Sequence, residues 1–156
     1  MAIDYTWLEE KILLRKLDAD ERNKLGNLLV EKQCAKGEKI LTQGQQGGVL
    51  YLLRSGSAEI RAESGGQEIR ISTAREGALF GEMTFLTGES ASATVVALED
   101  CVVYKLRRAD TSELMQSEPE IVYAFLAYML VYAGKVIRTM NEEHAMILQY
   151  MTSSHK

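Results

Sequence analysis

The sequence predicts a mainly β domain: seven or eight short strands forming a barrel or jelly roll, with helices on either side and a long C-terminal helix. Three observations predict it. Ten of the twelve glycines fall between Gly37 and Gly88, the density expected of short strands joined by turns. Inside that zone apolar and charged residues alternate with period two, as in Ala58-Glu59-Ile60-Arg61-Ala62-Glu63, the mark of a strand with one face covered. Beyond it, apolar residues recur at intervals of four and three, which is a helical repeat.

Taken in order, residues 1–32 read as one or two short helices. Asp18-Ala19-Asp20-Glu21 is a capping-box pattern, and Leu25, Leu28 and Leu29 follow at helical spacing. Residues 33–107 read as the roll. Ile40-Leu41-Thr42 follows the turn at Gly37-Glu38, and Leu50-Tyr51-Leu52-Leu53 lies between Gly47-Gly48 and Ser55-Gly56. The Ala58–Glu63 strand is joined through Gly65-Gly66, a strong hairpin signal, to Glu68-Ile69-Arg70-Ile71. Thr94–Leu98 and Val102–Leu106 pair around Glu99-Asp100. Residues 108–150 read as a hinge and a long helix, with Ser117 as N-cap, Pro119 in the first turn and Glu120 completing the cap. Val122, Leu126, Met129, Ala133, Val136 and Met140 form a heptad-like seam, continued by Ile147 after a polar interruption at Glu143. A helix packed only on its own barrel needs no such narrow stripe, so the seam predicts a homodimer through this helix.

Composition limits the function. A chain of 156 residues suits one domain, 1–156, and 46% hydrophobic content supports an ordinary core without metal or disulfide staples. Twenty-two acids against 18 bases give a charge of −4 with no Lys/Arg run, which argues against a general nucleic-acid binder. The only histidines are His144 and His155. That removes histidine-rich metal sites, a cupin-type metalloenzyme on a similar roll, and most triad chemistry, so neither a catalytic residue nor a metal is expected. Cys34 and Cys101 lack C-x-x-C spacing and read as two buried cytosolic thiols, with a disulfide between them left open. Asp4, Glu9 and Glu10 leave no basic n-region for a signal peptide. The apolar run Ile121–Gly134 is 14 residues, short for a bilayer, so the expectation is a cytoplasmic protein with no membrane contact.

The densest chemical signal is Phe80-Gly81-Glu82-Met83-Thr84-Phe85-Leu86-Thr87-Gly88-Glu89-Ser90-Ala91-Ser92-Ala93-Thr94-Val95. Gly81 allows close backbone approach, and the turn after it exposes N–H groups. Ala91, Ser92 and Ala93 are small enough for an anion to approach a second turn. Glu82 can accept hydrogen bonds from a ligand hydroxyl.

This stretch resembles the phosphate-binding cassette of the cyclic nucleotide-binding domain family, shared by catabolite activator-type regulators, protein kinase A regulatory subunits and gated channels. The family pattern is approximately F-G-E-(L/M)-(A/S)-L-(L/I)-x-x-x-P-R-(S/A)-A-(T/S), matched here by Phe80, Gly81, Glu82, Met83, Leu86, Ser92, Ala93 and Thr94. Gly44, Leu50–Leu53 and Gly56 match a second family feature, and the order of elements covers nearly the whole chain. The resemblance implies the eight-stranded β-roll or jelly roll of that family, a cyclic nucleotide (cAMP or cGMP) as ligand, and a binding site at Gly81, Glu82, Met83, Ala91, Ser92 and Ala93. In the family the glutamate takes the ribose 2′-hydroxyl and an arginine pairs with the cyclic phosphate. Here Ser90-Ala91 stands where the family places Pro-Arg. Losing a charged hydrogen bond weakens binding roughly 10- to 100-fold. Arg61 and Arg70 lie on the charged phase of their strands and are expected in solvent, as is Arg54 at a strand end, so none is an obvious replacement.

In relatives the long helix reaches the purine base. Tyr128 or Tyr132 offers a ring for stacking, against the simpler role of core or dimer residue. Transcription regulators of the family append a helix-turn-helix, for which residues 149–156 leave no room, so no DNA binding is expected. Two functions follow: a regulatory sensor acting on a separate, unidentified effector, with weakened ligand affinity, or a degenerate non-binding module for dimerisation and protein interaction.

Overall fold

In the computed structural model, which describes residues 2–153, the N-terminal flank begins with α1 (Tyr5–Trp7), capped by Asp4 on the Trp7 amide. It runs directly into a π-helical stretch, Leu8–Leu13, that ends at Leu14 with φ of 52°. The expected capping box forms at the start of α2 (Ala19–Leu28): the Glu21 amide donates to Asp18 Oδ1 and the Asp18 amide to Glu21 Oε2, each at 2.9 Å.

The described residues then supply eight strands: β1 (Val30–Cys34), β2 (Lys39–Leu41), β3 (Val49–Ser55), β4 (Ala58–Ser64), β5 (Gln67–Ala74), β6 (Leu79–Phe80), β7 (Thr94–Ala97) and β8 (Cys101–Arg107). A short helix, α3 (Glu82–Thr87), sits between β6 and β7, and α4 (Arg108–Ser117) and α5 (Pro119–Ser153) follow the roll. The strands form two four-stranded antiparallel sheets, ordered β1-β8-β3-β6 and β2-β7-β4-β5. This is the eight-stranded β-roll or jelly roll that the resemblance implies, with the flanking helices that the sequence pattern predicts.

The apolar run in β3 reflects a sheet covered on both faces. Leu50 and Leu52 point to the helices, where they join Tyr104 and Leu106 of β8, Leu8, Ile12 and Leu25 of the N-terminal flank, and Phe125 of α5. Tyr51 and Leu53 point the other way, into the roll, with Val103, Val95 and Phe80. In the second sheet β7 is buried along its whole length, whereas β5 is exposed over most of its length.

Several expectations change. The roll begins at Val30, not at residue 33, because β1 pairs fully with β8 although its residues look like a polar loop. Ser117 is not the cap of α5. It closes α4, where its hydroxyl donates to the Glu113 carbonyl at 3.1 Å, and Glu118 makes the break. Arg54 is not solvated: it pairs with Asp4 at 2.7 Å and lies 5.0 Å over the Trp7 ring. Arg61 is half-buried between Glu59 (2.9 Å) and Glu68 (3.4 Å), beside a register shift at Ile60/Arg61, whereas Arg70 is exposed as expected. Ile69 and Ile71 are exposed as well, since β5 is an edge strand.

Cys34 and Cys101 stand opposite each other in the β1–β8 register as free, buried thiols, and burial raises the pKa of both. His144 lies exposed on α5, and His155 lies outside the described residues.

Gly56 turns β3 into β4 at φ of 88°, and a Cβ there would meet the Asp100 carbonyl oxygen at 2.7 Å and Cys101 Sγ at 2.8 Å. Gly56→Ala combines a left-handed backbone with a steric clash. It is expected to lower the unfolding free energy by about 2–3 kcal/mol, measured by urea denaturation.

Candidate functional site at the Gly81–Thr94 segment

Gly81 is at the centre of the segment because only glycine fits there. It takes φ of 77° as N-cap of α3, and an added Cβ would meet the Val49 carbonyl oxygen at 2.5 Å. Its own carbonyl is held twice, by the Phe85 amide at 3.0 Å and by the Thr84 hydroxyl at 2.8 Å. The first amides of a helix have no carbonyl within it, so those of Glu82 and Met83 are left for another acceptor. Gly88, at φ of 77°, ends α3 after six residues.

The second turn is placed by its backbone. The Ala91 amide donates to the Gln45 carbonyl and the Gly44 amide to the Ala91 carbonyl, both at 2.8 Å. The Gln43 amide adds a bond to Thr94 Oγ1 at 2.9 Å. Gly44 and Gln45 are therefore held against the candidate segment, and the sequence reading did not include them among its site residues.

Of the six expected residues, Glu82, Met83 and Ser92 are exposed, Gly81 and Ala93 are half-buried, and Ala91 is buried. Neither Glu82 nor Ser92 makes a side-chain hydrogen bond among the described residues, so both are available to a ligand hydroxyl or an anion. The Ala91 methyl belongs to the apolar interior with Tyr51, Leu41 and Phe80. Between α3 and the 45–48 loop lies a cleft of about 10 Å³, bordered by Thr84, Gln45, Val49 and Tyr51. That is the room one water needs. Of the three arginines weighed from the sequence, none substitutes for the missing cassette arginine: Arg54 and Arg61 are engaged elsewhere, and exposed Arg70 donates to Thr73 and lies 3.4 Å from Glu59.

The tyrosines of α5 are also committed. Tyr128 Oη donates to the Gly77 carbonyl at 2.6 Å and its ring stacks on Tyr132 at 6.4 Å. Tyr132 packs against both apolar clusters. Burial, followed by the nearby Glu82 carboxylate, raises the pKa of its phenol above the usual range, against the pull of the Leu79 amide. Tyr128→Phe is expected to cost about 1 kcal/mol of stability, the net worth of one hydrogen bond, read from the urea midpoint at unchanged slope.

No polar or apolar periodicity could have shown α3, because six residues are too few. The signal available was its glycine at each end.

With the geometry in place, comparison with known proteins is informative. Residues 31–118 match the model of the cyclic nucleotide-binding domain. The chain is 30% identical over 111 residues to the cAMP-dependent protein kinase regulatory subunit of Yarrowia lipolytica, a match covering 71% of this chain and 28% of that protein. It therefore spans less than a third of that relative's length. The crystal structure of Thermus thermophilus catabolite activator protein is similar at a TM-score of 0.66 and 29% identity, covering 86% of this chain and 62% of that one. The regulatory domain of Toxoplasma gondii PKA, crystallised with cAMP, is similar at 0.61 and 28%, covering 78% of this chain and 48% of that one. On the matched segment, the roll and the Gly81–Glu82 turn, the chain belongs to the cyclic nucleotide-binding domain family.

Proposed function

We propose that this chain is a non-catalytic, cytoplasmic regulatory domain that binds cAMP or cGMP at the Gly81–Glu82 turn and Ala91–Ala93, with weakened affinity, and acts on a separate effector. One observation carries the reading: α3 starts at Gly81, which leaves its first amides, those of Glu82 and Met83, without a helical carbonyl, and the exposed Glu82 carboxylate makes no hydrogen bond among the described residues. Amides of that kind suit a phosphate, and the carboxylate suits a ribose hydroxyl. The cAMP-bound relative supports the ligand class.

A homodimer through α5 is part of the proposal. Every residue from Ala133 to Ser153 is exposed, including Val136, Met140 and Ile147 of the seam. The helix is long and apolar enough to cross a membrane by length and composition. Its first turns, however, bury Ile121, Val122, Ala124, Phe125 and Met129 against the roll, which removes them from lipid.

The second reading, a non-binding interaction module, is favoured by buried Ala91 and the 10 Å³ cleft. Thermal melts separate the two. A ligand at 100 times its Kd adds about 2.7 kcal/mol, or roughly 5–10 °C for a chain of this size. A rise with cAMP or cGMP and none with 5′-AMP is the expected result. No rise with either cyclic nucleotide at millimolar concentration would favour the interaction module.

A further inference from the structure

We infer that the chain carries a second ligand site, for a medium-chain carboxylate, in the apolar cleft between α3, α4 and α5. The cleft has a volume of about 270 Å³. Leu50 forms its floor, Phe85 comes from α3, Met115 from α4, and Phe125 and Met129 from α5. None of the six cassette positions lines it, and the inference does not depend on cyclic nucleotide binding. An apolar cavity of about 150 Å³ takes benzene. By proportion, this cleft takes about ten to twelve non-hydrogen atoms, the size of decanoate.

Charge selects the headgroup. Arg108 is the one charged lining residue, and its guanidinium makes no hydrogen bond or ion pair among the described residues. The neighbouring acid is unavailable, because both Asp110 oxygens accept from Arg107, at 2.8 and 3.0 Å. The Arg108 amide donates to the Gly48 carbonyl at 2.7 Å, which fixes the residue at the lip of the cleft. A methyl added at Gly88 would lie 3.1 Å from Arg108 Nη1, so the guanidinium rests against the end of α3. The other polar lining groups, Thr111 and Ser112, follow on the same turn of α4. The Thr111 hydroxyl is used on the Arg107 carbonyl at 3.3 Å, whereas the Ser112 hydroxyl makes no hydrogen bond among the described residues. An uncompensated cation and a hydroxyl at one end of an apolar cleft match one carboxylate on a short tail. A guanidinium accepts a carboxylate through two parallel bonds.

The methionines give the test its internal control. Met115 and Met129 line the cleft, whereas Met140, Met146 and Met151 lie exposed on the distal half of α5. The probe is decanoate, below its micelle-forming concentration, titrated into the full chain carrying ¹³C-methyl methionine and followed by NMR. The expected result is a saturable one-to-one shift confined to Met115 and Met129. Arg108→Gln, at an exposed position, is expected to weaken decanoate about tenfold or more while leaving decanol binding unchanged. Shifts spread over Met140, Met146 and Met151 would show an amphiphile coating the exposed helix and would overturn the proposal. So would the absence of saturation, or equal decanoate affinity in Arg108→Gln.

Discussion

Ala91→Arg is expected to tighten cAMP binding by roughly 10- to 100-fold, with Glu82→Ala in the same background removing much of the gain. The backbone at position 91 is held on both sides, by Gln45 and Gly44 at 2.8 Å, through bonds that do not involve the side chain. The missing element is positive charge, not a scaffold. Ala91 is 5% exposed, so a guanidinium there is withdrawn from water until an anion arrives. The unliganded variant is therefore expected to melt below wild type and to recover with ligand. Titration calorimetry on wild type, Ala91→Arg and the double variant measures all three affinities. Tight binding by wild type would mean that another residue supplies the charge. No binding by any of them would put the interaction module first.

Met140→Glu is expected to convert a micromolar dimer to monomer while leaving the melt of the roll nearly unchanged. Met140 is 59% exposed and belongs to neither apolar cluster, so the substitution touches nothing in the roll. In a paired α5 the same position lies on the seam, once per copy. An unpaired charge taken out of water there costs about 3 kcal/mol or more, roughly a hundredfold in affinity. Light scattering after size exclusion decides it, and a monomeric wild type at micromolar concentration would end the dimer proposal. Met129 is the wrong position for this experiment. It shares the heptad register but is 8% exposed in the core, so a charge there would damage the domain itself.

Met129 and Met140 show why the seam was only partly legible. A 4-3 apolar repeat states that one face of a helix is covered, not by what. The roll covers Val122 and Met129, and beyond Tyr132 it ends, leaving Val136, Met140 and Ile147 bare. The same limit applied to β5, where alternation was plain but Ile69 and Ile71 lie in the open, because strand order put this hairpin at a sheet edge.

The residues alone determined the features whose causes are local. Glycines that must take positive φ marked the turns at Gly56, Gly65-Gly66 and Gly81, and Asp18 with Glu21 capped α2 within four residues. The Phe80–Thr94 segment could be located, and its missing arginine noticed, because both are statements about residue order. Only the tertiary structure decided the rest. Glu9, an acid that reads as surface, is 2% exposed because Arg22 reaches Oε1 through Nε at 2.9 Å and Nη2 at 2.6 Å and the Leu17 amide adds a third donor. Arg54 found Asp4 and Trp7, fifty and forty-seven positions away. β1 became a strand by pairing with β8, about seventy residues later. Short-range rules fix which backbone conformations a residue tolerates. Which charges meet, which apolar faces are covered and which cavity stays open depend on contacts between distant segments, and those exist only once the chain has closed on itself.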